Sequence, residues 1–238
     1  MKAILLAAGL GTRLMPITKN TPKALVKIQG KPLIQHQLEK LKANGFTEVL
    51  INVHHFGNQI IDFLNIHNNF GLKITISDEK DKLLDTGGAL KKASDFILGN
   101  EAVLIHNVDV IGDLALKLMM ETHIKSGALA TLAVRKRDSS RYLYFDAENK
   151  LCGWENLKSG EKKGECSRKR TVQAAFSGIH IISPKFIELF PSEEKFSIID
   201  LYVSLSKSHS ILAYFHDDNL WFDVGTHESL AKAEKIKF

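Results

Sequence analysis

The sequence predicts an α/β fold in which a doubly wound, mostly parallel sheet is flanked by helices. Apolar runs bounded by turn residues alternate with helical patterns through residues 3–106, and this alternation is typical of βαβ units. The run at 102–106 has almost no polar residue, as expected for a parallel strand that is buried on both faces. A glycine-rich turn follows the first run, at the carboxyl end of a strand, where doubly wound sheets bind ligands.

The first half of the chain contains the most regular alternation. Its first strand covers the apolar run at 3–8. A helix begins near Pro32 and ends at Asn44-Gly45, because proline suits a first helical turn and glycine suits a helix end. Apolar periodicity and turn residues place the other elements. They are a strand at 48–53, a helix at 57–67, a strand at 72–77, a helix at 87–97 and a strand at 102–106.

The second half is less regular and contains a predicted β-hairpin insertion. The hairpin strands lie at 142–146 and 151–154, on either side of a turn at 147–150. No repeat, low-complexity tract or linker is present, so we predict a single domain over 1–238. The other predicted elements are a helix at 114–125, strands at 128–134 and 172–182, short helices from Pro184 and from Ser197 or Ile198, strands at 211–216 and 221–224, and a helix at 228–235 capped by Thr226.

The composition is ordinary for a globular chain. Of its 238 residues, 44% are hydrophobic and 25% are charged. Charged residues interrupt every apolar run before it reaches the ~18 residues of a membrane span, and the amino-terminal apolar run is too short for a signal peptide. The net charge of +5 suits an anionic ligand. The basic residues mostly alternate with acidic ones, so the positive charge is too diffuse to indicate nucleic-acid binding. We therefore predict a cytoplasmic protein with no nucleic-acid or membrane partner.

The cysteines, histidines and one basic run were considered as further sites. Cys152 and Cys166 lack the Cys-x-x-Cys spacing of zinc or redox sites, so we expect free thiols in a reducing compartment. The ten histidines form no ligand set, and His106 is expected in the core. The basic run at 162–170 is expected to be a solvated, mobile loop, with a reach toward substrate phosphate as the alternative.

Two glycines and two cations follow the first strand. Gly9 and Gly11 leave backbone N–H groups open to an anion, and Arg13 and Lys23 supply positive charge beside them. The dinucleotide fingerprint would need a third glycine where Leu14 stands, and no Gly-Lys-Ser/Thr triplet of a P-loop follows. The turn therefore predicts a polyphosphate site that matches neither the dinucleotide fingerprint nor the P-loop.

The stretch Leu6-Ala7-Ala8-Gly9-Leu10-Gly11-Thr12-Arg13-Leu14, with Pro16 and Pro22-Lys23, resembles the signature of the sugar-1-phosphate nucleotidyltransferases, or NDP-sugar pyrophosphorylases. The resemblance implies a Rossmann-like fold and Mg²⁺-dependent transfer of a nucleotidyl group from a nucleoside triphosphate to a sugar 1-phosphate. It implies a nucleotide-binding half at 1–110 and a sugar-phosphate-binding half at 111–238. The residues expected to bind the nucleotide are Ala8, Gly9, Gly11, Thr12, Arg13, Lys23, Thr86, Gly87 and Gly88.

Asp109 is the first predicted ligand of Mg²⁺. It follows the buried strand at 102–106, where an unpaired carboxylate is costly to bury. Asp113 is better placed than Asp109 to cap the next helix. The family places a metal-binding aspartate after this strand, commonly preceded by glycine, whereas Val108 stands here. The resemblance makes Arg13, Lys23 and Asp109 the catalytic residues.

Asp223 is the second predicted ligand of Mg²⁺. The stretch Trp221-Phe222-Asp223-Val224-Gly225-Thr226 resembles a late Trp-x-Asp-x-Gly-Thr motif of the family. Capping is the alternative role of this aspartate, but Thr226 is the more natural cap of the last helix. Two aspartates distant in sequence can share one hard cation that phosphate oxygens also bind.

The resemblance also suggests contacts to the base and the sugar. Relatives place a loop like Thr86-Gly87-Gly88 against the nucleobase, and Asp85 and Glu79 are further candidates for reading base edges. Glu155 and Gly178, with Asp223, are expected to bind the sugar phosphate. Relatives often have Lys-Pro after the acid, whereas Asn-Leu follows here, and a structural bulge is the alternative role of Gly178.

The resemblance is compatible with several pairs of nucleotide and sugar phosphate. The chain ends near the end of the family's catalytic domain, so we expect it to lack the β-helix of the acetylglucosamine enzymes and the C-terminal half of the long mannose enzymes. It resembles mannose-1-phosphate guanylyltransferases and N-acetylmuramate-1-phosphate uridylyltransferases, and the stretches at 86–88 and 175–178 favour the uridylyltransferases slightly. The alternatives are a phosphocholine cytidylyltransferase of the same fold and a catalytically silent nucleotide-binding regulatory protein. A monomer or homodimer is expected.

Overall fold

The computed structural model describes residues 1–80, 82–166 and 171–236. In chain order, its strands are β1 Lys2–Leu6, β2 Lys27–Ile28, β3 Lys31–Pro32, β4 Glu48–Val53, β5 Lys73–Asp78, β6 Val103–Asn107, β7 Val110–Gly112, β8 Ala130–Arg135, β9 Arg141–Phe145, β10 Leu151–Asn156, β11 Lys162–Gly164, β12 Val172–Ile182, β13 Ile211–Phe215 and β14 Trp221–Asp223. The α-helices are α1 Leu33–Ala43, α2 Gly57–Ile66, α3 Asp85–Lys92, α4 Ser94–Ile97, α5 Leu116–Ser126, α6 Ile198–Leu205 and α7 His227–Ala233. Short 3₁₀ helices cover Thr12–Leu14, Ile17–Lys19, Lys23–Leu25, Asn68–Gly71 and Pro184–Leu189.

The chain folds into two compact units that interleave in sequence. The first comprises Met1–Leu84, Val103–Lys117 and the described part of 219–238, and the second comprises Asp85–Ala102 and Leu118–Asp218. The predicted class is confirmed, with parallel strands at the centre of a mixed sheet and helices flanking it. The assignment of a nucleotide half and a sugar-phosphate half stays a prediction.

Parallel strands form the framework of the first unit, in the order β6-β1-β4-β5. Leu6 at the end of β1 lies opposite Asn52 of β4 and Asn107 of β6. The carboxyl ends of these strands therefore meet at one edge of the sheet, and the glycine-rich turn leaves β1 at that edge. The predicted apolar face of α1 is buried, at Leu33, Ile34, Gln37, Leu38 and Leu41.

A short antiparallel pair, which the sequence analysis did not predict fully, completes the first unit. β7 was missed, and it pairs with β14 so that Asp223 lies opposite Val110. The prediction that Asp113 caps the next helix is wrong, because α5 begins only at Leu116. The carboxylate of Asp113 instead accepts a hydrogen bond of 2.8 Å from the backbone N–H of Leu220, beside the β7–β14 pair.

The second unit contains the predicted hairpin and one strand, β11, that was not predicted. β9 pairs antiparallel with β10, as predicted, and also with β12. β12 pairs antiparallel with β8, which runs parallel to β13. The start of the basic run is not a loop, because Lys162–Gly164 forms β11 beside β10. The end of that run, 167–170, lies outside the described residues.

The prediction of free cysteines is wrong. Cys152 and Cys166 form a disulfide, with Cα atoms 5.3 Å apart. β11 causes this pairing, because it turns the chain back beside β10 and places Gly164 opposite Gly153. A strand of only three residues has too little periodicity to reveal this approach from sequence.

No helix within residues 1–80, 82–166 and 171–236 has the length and hydropathy needed to span a bilayer.

His106 is fully buried on β6, as expected for a core residue, and its Nδ1 lies 2.8 Å from the carbonyl oxygen of Asn107.

His123 and His180 are two of the histidines buried in the second unit. His123 Nδ1 lies 2.8 Å from the hydroxyl of Thr131, and burial lowers the pKa of His123 to about 4. His180 contacts the hydroxyl of Tyr202, and burial lowers the pKa of His180 to about 3. Burial also raises the pKa of Tyr202 well above its usual value. Both histidines are therefore neutral in the folded chain at neutral pH.

These histidines should make the fold sensitive to acid. Because a histidine in the unfolded chain takes up a proton below about pH 6.5, acid favours unfolding wherever the folded pKa is lower. We expect the free energy of unfolding to fall as the pH drops from about 6.5 toward 4, by up to about 1.4 kcal/mol per pH unit for each histidine. Urea denaturation across this range measures the slope. In His123→Gln, unfolding should take up about one proton fewer, so the slope of the unfolding free energy against pH should be smaller. An unchanged slope would contradict the assignment of His123 as a buried neutral histidine.

Candidate active site

The glycine-rich turn of the first unit is held in shape by contacts within the unit. Gly11 has a φ of +66°, a conformation that glycine adopts without strain. Its carbonyl oxygen accepts hydrogen bonds from the Thr18 hydroxyl at 2.8 Å and from the Leu14 N–H at 2.9 Å. Thr18 could not be identified from sequence, because a threonine seven residues after a glycine belongs to no recognised turn signature.

The other predicted residues of the turn differ in exposure. Ala8 is buried, whereas Gly9, Thr12 and Arg13 are exposed. A Cβ at Gly9 would meet no heavy atom of the chain within 4 Å. Protein packing therefore does not explain the glycine at position 9, which keeps the predicted approach of a phosphate open.

A cluster of two cations and two carboxylates surrounds Gly225. Lys23 Nζ forms an ion pair with Asp109 Oδ2, and these side chains are only 10% and 15% exposed. A Cβ at position 225 would lie 2.6 Å from Arg13 Nη2, 2.8 Å from Asp223 Oδ1 and 3.2 Å from Lys23 Nζ. A side chain at position 225 would therefore have to displace these charged groups. The four charged residues predicted from separate parts of the sequence converge here.

The β7–β14 pair explains how residues so distant in sequence meet. Asp109 directly precedes β7, and its carbonyl oxygen accepts a hydrogen bond of 2.9 Å from the N–H of Val224. Asp223 ends β14, and its Oδ1 accepts a hydrogen bond of 2.9 Å from the N–H of Gly225. The backbone pairing thus fixes the direction of both aspartates toward the cations.

A buried polar network lies behind the turn. Asn52 Oδ1 accepts a hydrogen bond of 2.7 Å from the N–H of Ala7, and Asn52 Nδ2 donates one of 2.8 Å to Glu79 Oε1. Glu79 Oε2 accepts a third, of 3.2 Å, from the N–H of Leu84. Glu79 is 2% exposed, so its carboxylate is committed to the chain and is not presented to a base edge. The role of Glu79 as a base reader is therefore wrong.

The predicted base-binding residues lie at the start of α3, in the second unit. The N–H of Gly87 donates to the carbonyl of Phe196 at 2.9 Å, and a Cβ at Gly87 would lie 2.3 Å from the Phe196 ring. The Thr86 hydroxyl accepts from the N–H of Ile198 at 3.2 Å. Gly88 is buried within the helix. Packing against Phe196 thus explains Gly87, and the contact with a base stays a prediction.

Glu155 lies in a small pocket of the second unit. It accepts a hydrogen bond of 2.5 Å from the Tyr144 hydroxyl and forms an ion pair of 3.2 Å with Lys162. Trp154 and Lys163 also line the pocket. The side chain of Glu155 is only 10% exposed and has defined partners on β9 and β11. Lys162 could not be identified from sequence because it lies opposite Glu155 only through the pairing of β10 with β11. Tyr144 could not be identified because the register of the predicted hairpin shifts between Leu151 and Gly153.

Gly178 lies in a bulge, which was the alternative to a sugar contact. The register between β12 and β8 shifts between Phe176 and His180, and Gly178 has a φ of +75° within this irregular segment. Its predicted sugar contact remains a proposal.

The first unit thus defines a class of α/β protein that binds polyphosphate, because a glycine-rich turn lies beside two cations and two carboxylates. The chain belongs to the nucleotidyl transferase family, whose model matches residues 2–237. The resemblance found in the sequence is therefore confirmed.

Three comparisons show the range of similar proteins. An N-acetylmuramate α-1-phosphate uridylyltransferase of Neisseria meningitidis is 31% identical, over 99% of this chain and 98% of that protein. Mannose-1-phosphate guanylyltransferase 1 of Arabidopsis thaliana is 33% identical over 94% of this chain, which spans only 61% of that longer protein. The structure of a Bacillus anthracis protein assigned as a glucose-1-phosphate thymidylyltransferase, in complex with a sucrose, superposes with a TM-score of 0.82 at 27% identity, covering 100% and 97% of the two chains.

Gly225→Ala tests the cluster. The added methyl group would displace Arg13 Nη2 and Asp223 Oδ1, so we expect triphosphate affinity to fall at least about tenfold, the effect of losing one charge-assisted contact. Isothermal titration calorimetry with UTP and GTP measures this affinity. Glu228→Ala, on the exposed surface of α7, is the control. Unchanged affinity in a folded Gly225→Ala protein would show that the cluster does not bind triphosphate.

Proposed function

We propose that this chain transfers a nucleotidyl group from a nucleoside triphosphate to a sugar 1-phosphate and releases pyrophosphate. The observation that carries the proposal is the convergence of Arg13, Lys23, Asp109 and Asp223 around Gly225. A phosphate oxygen of the sugar 1-phosphate attacks the α-phosphorus, a new P–O bond forms, and the bond from the α-phosphorus to the bridging oxygen of pyrophosphate breaks. Since phosphate is already a competent nucleophile, positioning and charge neutralisation supply the catalysis.

The residues of the first unit divide these tasks. The backbone N–H groups of the glycine-rich turn and the exposed guanidinium of Arg13 bind the β- and γ-phosphates. The ammonium of Lys23 neutralises the charge that shifts at the α-phosphate. Lys23 is suited to this role because its partner Asp109 fixes its position within a nearly buried site.

The aspartates fit a Mg²⁺ ion that is shared with substrate. No cluster of three or more histidine, cysteine, aspartate or glutamate side chains able to bind a metal occurs among the residues that the structure describes. Mg²⁺ is commonly bound by one or two carboxylates together with substrate phosphates and water, so Asp109 and Asp223 match that donor set. When bound, Mg²⁺ would supply neutralisation of phosphate charge. The aspartates themselves provide the hard anionic oxygens for it.

UTP and N-acetylmuramate 1-phosphate are the pair that we propose first. The support is the N. meningitidis uridylyltransferase, which aligns with this chain over nearly its whole length. GTP with mannose 1-phosphate is the second candidate, supported by the Arabidopsis guanylyltransferase. Thr86, Gly87 and Gly88 remain predicted base contacts, and Glu155, Gly178 and Asp223 remain predicted sugar-phosphate contacts. A cytoplasmic location and a monomer or homodimer likewise stay predictions.

Pyrophosphate release tests the function directly. Wild-type protein is mixed with each common triphosphate and with N-acetylmuramate, mannose or glucose 1-phosphate, or phosphocholine. We expect release with a sugar 1-phosphate, greatest with the first proposed pair, and its loss when EDTA removes Mg²⁺. Release only with phosphocholine and CTP would favour the cytidylyltransferase. No release with any pair, despite triphosphate binding, would indicate the silent binding protein.

Lys23→Gln tests the proposed role of the lysine. Glutamine can still donate a hydrogen bond to Asp109, so the fold should persist, but the positive charge is lost. We expect kcat to fall about 10²–10³-fold, the usual cost of removing one group that stabilises transition-state charge. Lys27→Ala removes an exposed lysine of β2 and is the matched control. A kcat within about twofold of wild type would remove Lys23 from the mechanism, since each 1.4 kcal/mol is a tenfold effect.

A further inference from the structure

A buried relay of hydrogen bonds joins two loops of the first unit. It runs from the N–H of Ala7 to the amide of Asn52, then to the carboxylate of Glu79, which also accepts from the N–H of Leu84. Ala7 opens the glycine-rich turn, and Leu84 directly precedes the residue at which α3 begins. One carboxylate is thus connected to the chain at both predicted nucleotide-binding segments.

The direction of each bond in the relay is determined by chemistry. Backbone N–H groups at both ends can only donate, so each needs an acceptor. The carboxylate of Glu79 accepts at both oxygens, which requires Asn52 to turn its NH₂ toward Glu79. The Asn52 oxygen must then face Ala7. The two acceptor oxygens of Glu79 therefore fix the orientation of the amide, and the amide fixes the start of the turn.

The two side chains of the relay are buried, so their geometry has few alternatives. Asn52 is 4% exposed and Glu79 is 2% exposed. The backbone holds Glu79 as well, because its N–H donates to the carbonyl of Val53 at 2.8 Å and its carbonyl oxygen lies 2.7 Å from Nδ1 of His54. A buried donor that loses its acceptor is costly, so a defect at Glu79 should be transmitted to Ala7.

We infer that Glu79 and Asn52 are positioning residues for the triphosphate, acting through the backbone of the glycine-rich turn. Neither side chain needs to touch the ligand. They hold the backbone that leads from β1 into Gly9 and Gly11, whose N–H groups are the proposed phosphate donors. The inference rests on the proposed function, and it assigns to a buried acid a part of the affinity for the triphosphate.

A paired substitution provides the test. In Glu79→Gln the side chain has one acceptor where two are needed, so the N–H of Ala7 or of Leu84 loses its partner. Adding Asn52→Asp restores every bond. The new carboxylate at position 52 accepts from the N–H of Ala7 and from the new amide at position 79, and the oxygen of that amide accepts from the N–H of Leu84. Glu48→Gln, at the start of β4, makes the same chemical change outside the relay at a side chain that is 35% exposed, and it is the control.

Steady-state kinetics should separate positioning from general damage. We expect Glu79→Gln to raise the KM for the triphosphate about tenfold, because that is the usual effect of losing one hydrogen bond to a charged group. The KM for the sugar 1-phosphate should stay within about twofold of the wild-type value. In the double variant, the KM for the triphosphate should return close to the wild-type value. Equal kinetics for Glu79→Gln and Glu48→Gln, or a double variant no better than the single one, would overturn the inference.

Amide hydrogen exchange reads the relay without any turnover. In wild-type protein the amides of Ala7 and Leu84 should be protected. In Glu79→Gln at least one should exchange about tenfold faster, with recovery in the double variant. Unaltered exchange at both amides would overturn the relay even in an active enzyme. Conversely, altered exchange and weakened UTP binding in a protein that transfers no nucleotidyl group would support the relay while refuting the proposed function.

Discussion

The ion pair between Lys23 and Asp109 constrains the whole first unit. Both side chains are nearly buried, and a buried charge is stable only when it is paired. The pair joins the segment after the glycine-rich turn to the segment between β6 and β7, so both must end at one place. The β7–β14 pair then brings Asp223 and Gly225 to the same point. A charge that would weaken an ordinary core is tolerated because its partner is supplied by the fold.

The sequence predicted the parts of the fold that depend on local pattern. The strand at 48–53 and the strand at 172–182 have the predicted bounds, because long apolar runs identify buried strands well. The charged residues of the cluster were also predicted, Arg13 and Lys23 from the glycine-rich turn and Asp109 from its place after a buried strand, whereas Asp223 was predicted from a motif of the family. Arg13 and Lys23 lie in one motif, Asp223 lies in another near the other end of the chain, and Asp109 follows a strand. Only folding brings these four residues together.

The missed features depend on register between short elements. β7 and β11 are each three residues long, too short for an apolar period to stand out. The missed β11 explains two further errors, the prediction of free cysteines and the assignment of residues 162–164 to a loop. The hydrogen bond from Ala7 to Asn52 crosses 45 residues, and the bond from Asn52 to Glu79 crosses 27. Glu79 was recognised as a functional acid, but sequence could not show that it faces inward.

Glycines in this chain serve two physical purposes that sequence cannot separate. Gly87 is required by the Phe196 ring and backbone, and a side chain at Gly225 would have to displace the charged groups around it. Gly9 has no protein neighbour that excludes a side chain, and the approach of a phosphate stays its predicted role. The relay through Asn52 and Glu79 gives the same turn a fixed backbone without covering that open face. A phosphate site needs both properties, because its donors must be preorganised and still accessible.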